Sequence, residues 1–227
     1  MREPGGKEQD YLAVDIACLN RETLRATLVS SVGSHCEVWR TNKRIKSIAD
    51  EEVYHEFVIK YPTSIHSRSE IAILMRDYRR LKNALKEIIP SAIFFVTEVD
   101  GQPNVCVIAD AVNIWFNIAN PQNREEAVEL LRASPRARDQ LERFVRTARD
   151  WRNSDDSRLI DLYGLDNLIM DQNHEIRYLD SFYVFFYEDL LDLLQGEPDD
   201  PLKEYITVSL ERLHYLEDIL KESSLSP

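Results

Sequence analysis

Hydrophobic and polar positions follow different patterns in the two halves of the chain. In the first half, the β-branched residues 27–32 and the alternating residues 53–60 predict strands. Apolar residues recur at three- and four-residue steps over 67–88, which predicts one long helix. Residues 92–99 and 105–108 predict two more strands joined by the turn signal Asp100-Gly101, and the charged residues 40–52 predict a hairpin connection.

After residue 110 the pattern becomes mainly helical. Helical periodicity covers residues 121–133, 135–151, 188–194 and 201–221, and one short strand is predicted over 176–179. Strands with one helix followed by several helices predict an α+β protein. We therefore expect a disordered polar segment at 1–10, a sheet-rich unit at 11–110 and a helical unit at 111–227.

Composition and charge narrow the possible partners. The formal net charge of -12 over 227 residues disfavours nucleic acid and anionic lipid as ligands. No apolar run reaches the ~18 residues of a membrane-spanning helix, and the polar start lacks the apolar core of a signal peptide. We expect no membrane insertion, a cytoplasmic location and three reduced cysteines.

Several polar residues of the first half suit a phosphate-bearing ligand. Gly33 and Ser34 lie between two strand segments and are small enough for a phosphate to approach the backbone closely. Lys60 ends a predicted strand. Glu70 and Asp77 are seven residues apart, so both fall on one side of the predicted helix.

A second group of polar residues lies at 158–182. Asp161 and Asn167 belong to a loop, and Asp180 follows the predicted strand 176–179. Asn167 and Asp180 are thirteen residues apart, so a hairpin between them would bring their oxygen atoms together. Side-chain oxygens from two such segments are typical Mg²⁺ ligands.

Taken in order, these segments resemble motifs of the protein-kinase-like superfamily. Gly33-Ser34-His35-Cys36-Glu37-Val38-Trp39 resembles the second half of the glycine-rich loop, and Phe57-Val58-Ile59-Lys60 resembles the strand motif that ends in a phosphate-binding lysine. The two segments 158–171 and 176–182 resemble the catalytic loop and the metal-binding aspartate that follows it.

The resemblance implies a kinase-like bilobal fold that binds ATP and Mg²⁺ between its lobes. An N-terminal antiparallel sheet with one long helix would precede a mainly helical lobe. Gly33, Ser34 and Val38 would cover the nucleotide, and Lys60 would contact its phosphates and take part in catalysis. Either Asp77 or Glu70 would orient that lysine, and the metal ligands would be Asn167 and Asp180.

Departures from the motifs leave the activity open. Leu162 stands where the family has its catalytic aspartate, Asp161 lies one residue earlier, and Ser181-Phe182 replaces Phe-Gly. No Ala-Pro-Glu motif follows, so the chain is most similar to minimal bacterial kinase-like proteins. It would be a phosphotransferase in which Asp161 accepts a proton from a small-molecule or protein hydroxyl, or a pseudokinase acting as a binding or regulatory module. An acidic α+β interaction domain with no kinase relation is the third interpretation.

Overall fold

The computed structural model describes residues 26–30, 36–46, 52–99, 101–187 and 200–225 of a mixed α+β protein. Four predictions lie outside these residues: disorder at 1–10, the Gly33-Ser34 loop, the turn residue Asp100 and a helix over 188–194. No helix in the described ranges is long and apolar enough to cross a membrane.

A five-stranded sheet occupies the first half of the chain. Its strands are antiparallel to their neighbours in the order β1-β2-β3-β5-β4. They are β1 (Ala26–Ser30), β2 (Cys36–Lys46), β3 (Glu52–Pro62), β4 (Ala92–Val99) and β5 (Gln102–Asp110).

The strands β2 and β3 are longer than the sequence predicts. They pair from Cys36 opposite Pro62 to Lys46 opposite Glu52, so residues 40–46 are strand and not a hairpin connection. Backbone hydrogen bonds between β2 and β3 hold this two-stranded ribbon together, and such bonds cannot be predicted from the pattern of hydrophobic residues. β4 lies where its pattern places it, and β1 overlaps the predicted strand 27–32 in its described residues. β5 contains the predicted 105–108 but extends from Gln102 to Asp110.

One long helix, α1 (Arg68–Leu85), is inserted between β3 and β4. A capping box fixes its start, because Ser67 Oγ accepts from the Glu70 backbone N and Glu70 Oε2 accepts from the Ser67 N. Its buried face consists of Ile71, Leu74, Tyr78, Leu81 and Leu85. A 3-10 turn over Lys86–Ile88 completes the helical segment, which confirms the prediction over 67–88.

The second half contains three helices and two small sheets in its described part. The helices are α2 (Arg124–Ala133), α3 (Pro135–Arg152) and α4 (Pro201–Ser223), as predicted, with a 3-10 turn over Pro121–Asn123. One sheet has the order β6-β8-β9 and the other pairs β7 with β10. Their strands are β6 (Ile114–Phe116), β7 (Arg158–Ile160), β8 (Leu168–Asp171), β9 (Ile176–Tyr178) and β10 (Phe185–Tyr187).

A continuous hydrophobic core joins the two halves. It runs from α1 and β5 through α3 to α4 and the small sheets, and includes the fully buried Leu81, Phe144, Tyr178 and Phe182. Each large apolar side chain removed from water contributes about 1.5–3 kcal/mol to the gross driving force. The aromatic run at 182–187 is largely part of this core, as predicted, and only Tyr183 and Tyr187 are exposed in it.

Candidate functional site

The loop after β7 has a fixed backbone at Asp161. The Asp161 backbone N donates to Val184 O at 2.9 Å, which extends the pairing of β7 with β10. Its carbonyl oxygen accepts from the Tyr178 hydroxyl at 3.0 Å and from Asn167 Nδ2 at 3.3 Å. Both main-chain polar groups of Asp161 are therefore bonded, which fixes the backbone from which its side chain projects.

The Asp161 carboxylate is buried, and no cationic side chain among the described residues is bonded to it. It is 5% exposed, and its Oδ1 accepts from the Tyr163 backbone N at 2.7 Å. Burial, followed by the nearby Asp180 carboxylate, raises the pKa of Asp161 to about 7, against the lowering influence of the Tyr163 amide, Arg212 and Asn167. Near neutral pH this carboxyl can therefore both accept and release a proton.

A close approach of two loop segments positions Asn167. The Asn167 backbone N donates to Gly164 O at 3.1 Å, and a Cβ added to Gly164 would lie 2.4 Å from Asn167 Oδ1. The Asn167 carbonyl accepts from Leu179 N at 2.8 Å. This bond brings Asn167 and Asp180 to the same end of the β8–β9 hairpin, as the thirteen-residue spacing suggested.

The Asp180 carboxylate is held by the backbone that follows it. Its Oδ1 accepts from Ser181 N at 2.6 Å and from Phe182 N at 3.2 Å. Neither bond uses Oδ2. The neighbouring Phe182 is fully buried and packs edge-on against Phe94 of β4, which anchors the turn in the core.

Lys60 reaches this turn from the five-stranded sheet. Its ammonium donates to Leu179 O and, at 3.2 Å, to Ser181 Oγ, and the residue is 8% exposed. The amine predicted to bind phosphate and the carboxylate predicted to bind metal are therefore neighbours, although 120 residues separate them in the sequence.

Two residues of β2 lie over the same region. Val38 pairs directly with Lys60, and Cys36 is two residues away on the same face of the ribbon. Burial raises the pKa of the Cys36 thiol to about 11, while the Lys60 ammonium lowers it and the Asp180 carboxylate raises it. These influences indicate that the thiol is close to both charges.

Neither helix acid is bonded to Lys60 in this structure. Glu70 takes part in the capping box with Ser67, and these bonds lower its pKa. Asp77 bonds to Arg76 at 3.0 Å. A pairing of either acid with Lys60 stays a prediction, as do the roles of Gly33 and Ser34, which lie outside the described residues.

Several residues that build the site gave no sequence signal. Arg212 of α4 donates to the carbonyl oxygens of Leu162 and Tyr163, and Ser209 Oγ accepts from Leu162 N at 3.0 Å. Both come from a helix about fifty residues further along, so no local motif contains them. Leu162, at the family's aspartate position, is fully buried, and Asp161 is the acid that approaches Asp180.

The polar atoms at this point are of the chemical types that could hold a hard cation. Asn167 Oδ1, Asp180 Oδ2 and the Asp161 carboxylate are oxygen donors, and Mg²⁺ takes few protein oxygens because it keeps several waters. Within the described ranges no cluster of three or more His, Cys, Asp or Glu side chains forms a denser metal site. The Lys60 ammonium is a positive charge of the kind that phosphate binding requires.

A cavity of about 410 Å³ lies away from this site. It is lined by Pro90, residues 110–113, residues 171–173 and Arg177. The lining therefore includes the turn of the β8–β9 hairpin, whereas Asn167 and Asp180 flank its open end. None of the candidate site residues lines the cavity.

Comparison with known proteins gives no family assignment. No protein-family model matches the sequence, and no curated protein matches it significantly. The functional argument therefore depends on the residues and geometry described above.

Proposed function

We propose that this chain is a minimal kinase-like protein that binds ATP and Mg²⁺ between its sheet-rich and helical halves. The strand order β1-β2-β3-β5-β4, with a long helix between β3 and β4, supports a kinase-like N-terminal lobe. The observation that carries the proposal is the contact of Lys60 with Leu179 and Ser181, on either side of Asp180.

In this proposal each residue has a distinct role in binding. The Lys60 ammonium offsets the charge of the nucleotide phosphates, and Val38 covers the nucleotide from β2. Asn167 and Asp180 are the Mg²⁺ ligands, and a bound cation would also relieve the repulsion between Asp161 and Asp180. The Gly33-Ser34 segment, which joins β1 to β2 in the sequence, would complete the cover.

For phosphoryl transfer, Asp161 would accept the proton of the acceptor hydroxyl. A pKa of about 7 suits a general base, because the carboxylate is available at neutral pH and still takes up a proton readily. The acceptor would be a hydroxyl of a small molecule or a protein. Catalysis would consist of positioning and charge neutralisation by side chains fixed before substrate binds.

Thermal-shift titration with ATP and MgCl₂ tests the binding step. We expect the wild type to be stabilised by ATP with Mg²⁺, and Asp180→Ala to lose the Mg²⁺-dependent part. Asp155→Ala, which removes an exposed carboxylate outside the site, is the control and should respond as the wild type does. If millimolar ATP with Mg²⁺ does not stabilise the wild type, the interaction-domain interpretation is favoured instead.

A pseudokinase is the second candidate, and the contacts of Lys60 favour it. Its ammonium is engaged by Leu179 O and Ser181 Oγ, and no helix carboxylate among the described residues is bonded to it. Comparing ATP turnover between wild type and Asp161→Asn separates the two candidates. An active enzyme should lose about 10²-fold or more of its turnover with the base removed, whereas equal turnover would exclude Asp161 as the base.

A further inference from the structure

A buried histidine links the start of α1 to the residues that follow Asp180. The His66 ring is 1% exposed, and its Nε2 lies 2.8 Å from the Tyr183 hydroxyl. The two ring centroids are 5.8 Å apart. His66 precedes the helix cap at Ser67, and Tyr183 is three residues beyond Asp180, so this bond spans 117 positions of sequence.

The cost of placing His66 here indicates a role beyond filling space. Its Nδ1 is buried and has no hydrogen-bond partner among the described residues. Burying an unpaired polar atom is unfavourable, and an apolar side chain of similar size would avoid that cost. The polar atom that the histidine contributes is therefore Nε2, which bonds to Tyr183.

The two ends of this link differ in rigidity. The His66 end is fixed, because the adjacent capping box and the buried face of α1 hold the first turn of that helix. The Tyr183 end is a tight turn, and Tyr183 itself has a φ of 49°, a left-handed conformation that costs energy for a residue with a side chain. The hydrogen bond from the fixed His66 ring to the Tyr183 hydroxyl therefore favours one conformation of the turn that contains Tyr183.

The same turn determines the position of the Asp180 carboxylate. Phe182 N donates to Asp180 Oδ1, and Phe182 is bonded covalently to Tyr183. A change of backbone conformation at Tyr183 would therefore alter the donor that orients Oδ1. The link reaches Asp180 from the side of α1, whereas Lys60 reaches the same turn from β3.

We propose that His66 is a positioning residue that, through Tyr183, holds Asp180 in the orientation required for Mg²⁺. This inference rests on the proposed function, because it assigns a role within the same metal site. In this inference His66 contacts neither nucleotide nor metal itself, because its effect on Asp180 passes through Tyr183. Loss of the bond should therefore weaken the binding of nucleotide with metal and leave metal-free nucleotide binding nearly unchanged.

The experiment compares dissociation constants for ATP with and without Mg²⁺ by isothermal titration calorimetry. We expect Tyr183→Phe and His66→Phe each to raise the Mg²⁺–ATP Kd about tenfold and to change the metal-free Kd less than twofold. His66→Gln, which can place a polar atom near Nε2, should bring the Kd to within about threefold of wild type. The double variant should be no worse than either single one, because both remove the same bond.

Tyr215→Phe is the matched control, since its hydroxyl is buried and unpaired among the described residues. It should leave both constants unchanged, and melting temperatures of all variants show whether the fold is retained. If Tyr183→Phe and His66→Phe leave the Mg²⁺–ATP Kd unchanged, or raise the Kd equally with and without Mg²⁺, the role of His66 is wrong while the proposed function still stands. A wild type that binds no Mg²⁺–ATP would overturn the proposed function and this inference together.

Discussion

Asp161 and Asp171 are equally buried, and the fold satisfies them in opposite ways. Each is 5% exposed. Asp171 accepts from the backbone N of Asn173 and Glu175, and its Oδ2 forms an ion pair with Arg177 at 2.9 Å. Asp161 has a raised pKa, and the described residues offer its carboxylate a backbone donor at Tyr163 but no bonded cation.

The presence or absence of a bonded cation, within the part of the chain that the structure describes, distinguishes Asp171, which stabilises the fold, from Asp161, which belongs to the candidate site. Arg177 also donates to Glu87 O and Glu175, so the charges around Asp171 are internally balanced. No ion pair to Asp161 or Asp180 occurs among the described residues, and under the proposed function a bound cation would supply the missing positive charge. Equal burial therefore does not mean an equal role, and the distinguishing feature is whether the protein itself supplies the neutralising partner.

Breaking the balanced pair should give the largest effect on stability. Arg177→Ala leaves the Asp171 carboxylate buried without its cation, so we expect a loss of about 3 kcal/mol in the free energy of unfolding. Urea denaturation measures it. The control is Arg124→Ala, which removes an exposed pair with Glu222 and should cost under about 1 kcal/mol. Equal losses in the two variants would contradict the distinction.

Removing the Asp161 charge should raise the free energy of unfolding at neutral to alkaline pH, whereas Arg177→Ala lowers it. The pKa of Asp161 is about 7 in the folded protein and ordinarily 3.8, so the folded state holds the extra proton and loses that stabilisation as pH rises from about 4 to 7. Asp161→Asn should remove this fall and be about 2 kcal/mol more stable than wild type at pH 8. The gain is smaller than the full linkage value because the buried amide has its own desolvation cost. The measurement is the difference between the two unfolding free energies from pH 4 to 8. A difference that does not change with pH would show that Asp161 is not perturbed.

Two glycine substitutions separate site geometry from backbone strain. Gly164→Ala forces Asn167 to move, because the new Cβ would be 2.4 Å from its Oδ1. It should weaken Mg²⁺–ATP binding about tenfold. Gly101→Ala meets no atom within 4 Å but has a φ of 74°, so it should cost about 1 kcal/mol of stability and leave binding unchanged. Calorimetry and urea denaturation measure both, and similar binding by the two variants would exclude a role for the Asn167 position.

The smallest effect is expected at Ser181. Ser181→Ala removes one of the two described bonds of Lys60, at 3.2 Å, and leaves the bond to Leu179 O intact. We expect a loss of about 1 kcal/mol or less in unfolding free energy. Ser224→Ala, which removes an exposed hydroxyl bonded to Leu220 O, provides the control by the same denaturation method. A loss above about 2 kcal/mol would mean that Ser181 holds more than one hydrogen bond.

Long periodic segments were predictable from the sequence, whereas most of the short strands in the described residues were not, with β9 as the exception. The apolar stripe of α1 specified that helix closely, because its burial follows the helical period. The strands β6, β7 and β10 have only three residues each, which is too few for alternation to be visible. They exist because neighbouring segments pair with them, and that information lies elsewhere in the chain.

At the candidate site, spacing within one hairpin was informative and contacts between distant segments were not. The interval from Asn167 to Asp180 anticipated their juxtaposition, because a hairpin fixes it. The partners of Lys60 were not predictable, since a backbone carbonyl at Leu179 leaves no mark on composition. The sequence also could not show that Glu70 bonds to Ser67 and Asp77 bonds to Arg76, so it could not decide whether either acid pairs with Lys60.

The bonds from Arg212 to the carbonyl oxygens of Leu162 and Tyr163 can form only late in synthesis of the chain. The loop that contains Asp161 leaves the ribosome well before Arg212, which is fifty residues behind Leu162. Until α4 has left the ribosome and packed against this loop, those carbonyl groups must bond to water, and Arg212 does not hold the loop in place. Nascent chains stalled before residue 209 should therefore be more sensitive to proteolysis near residue 162 than the released chain, in which α4 has docked.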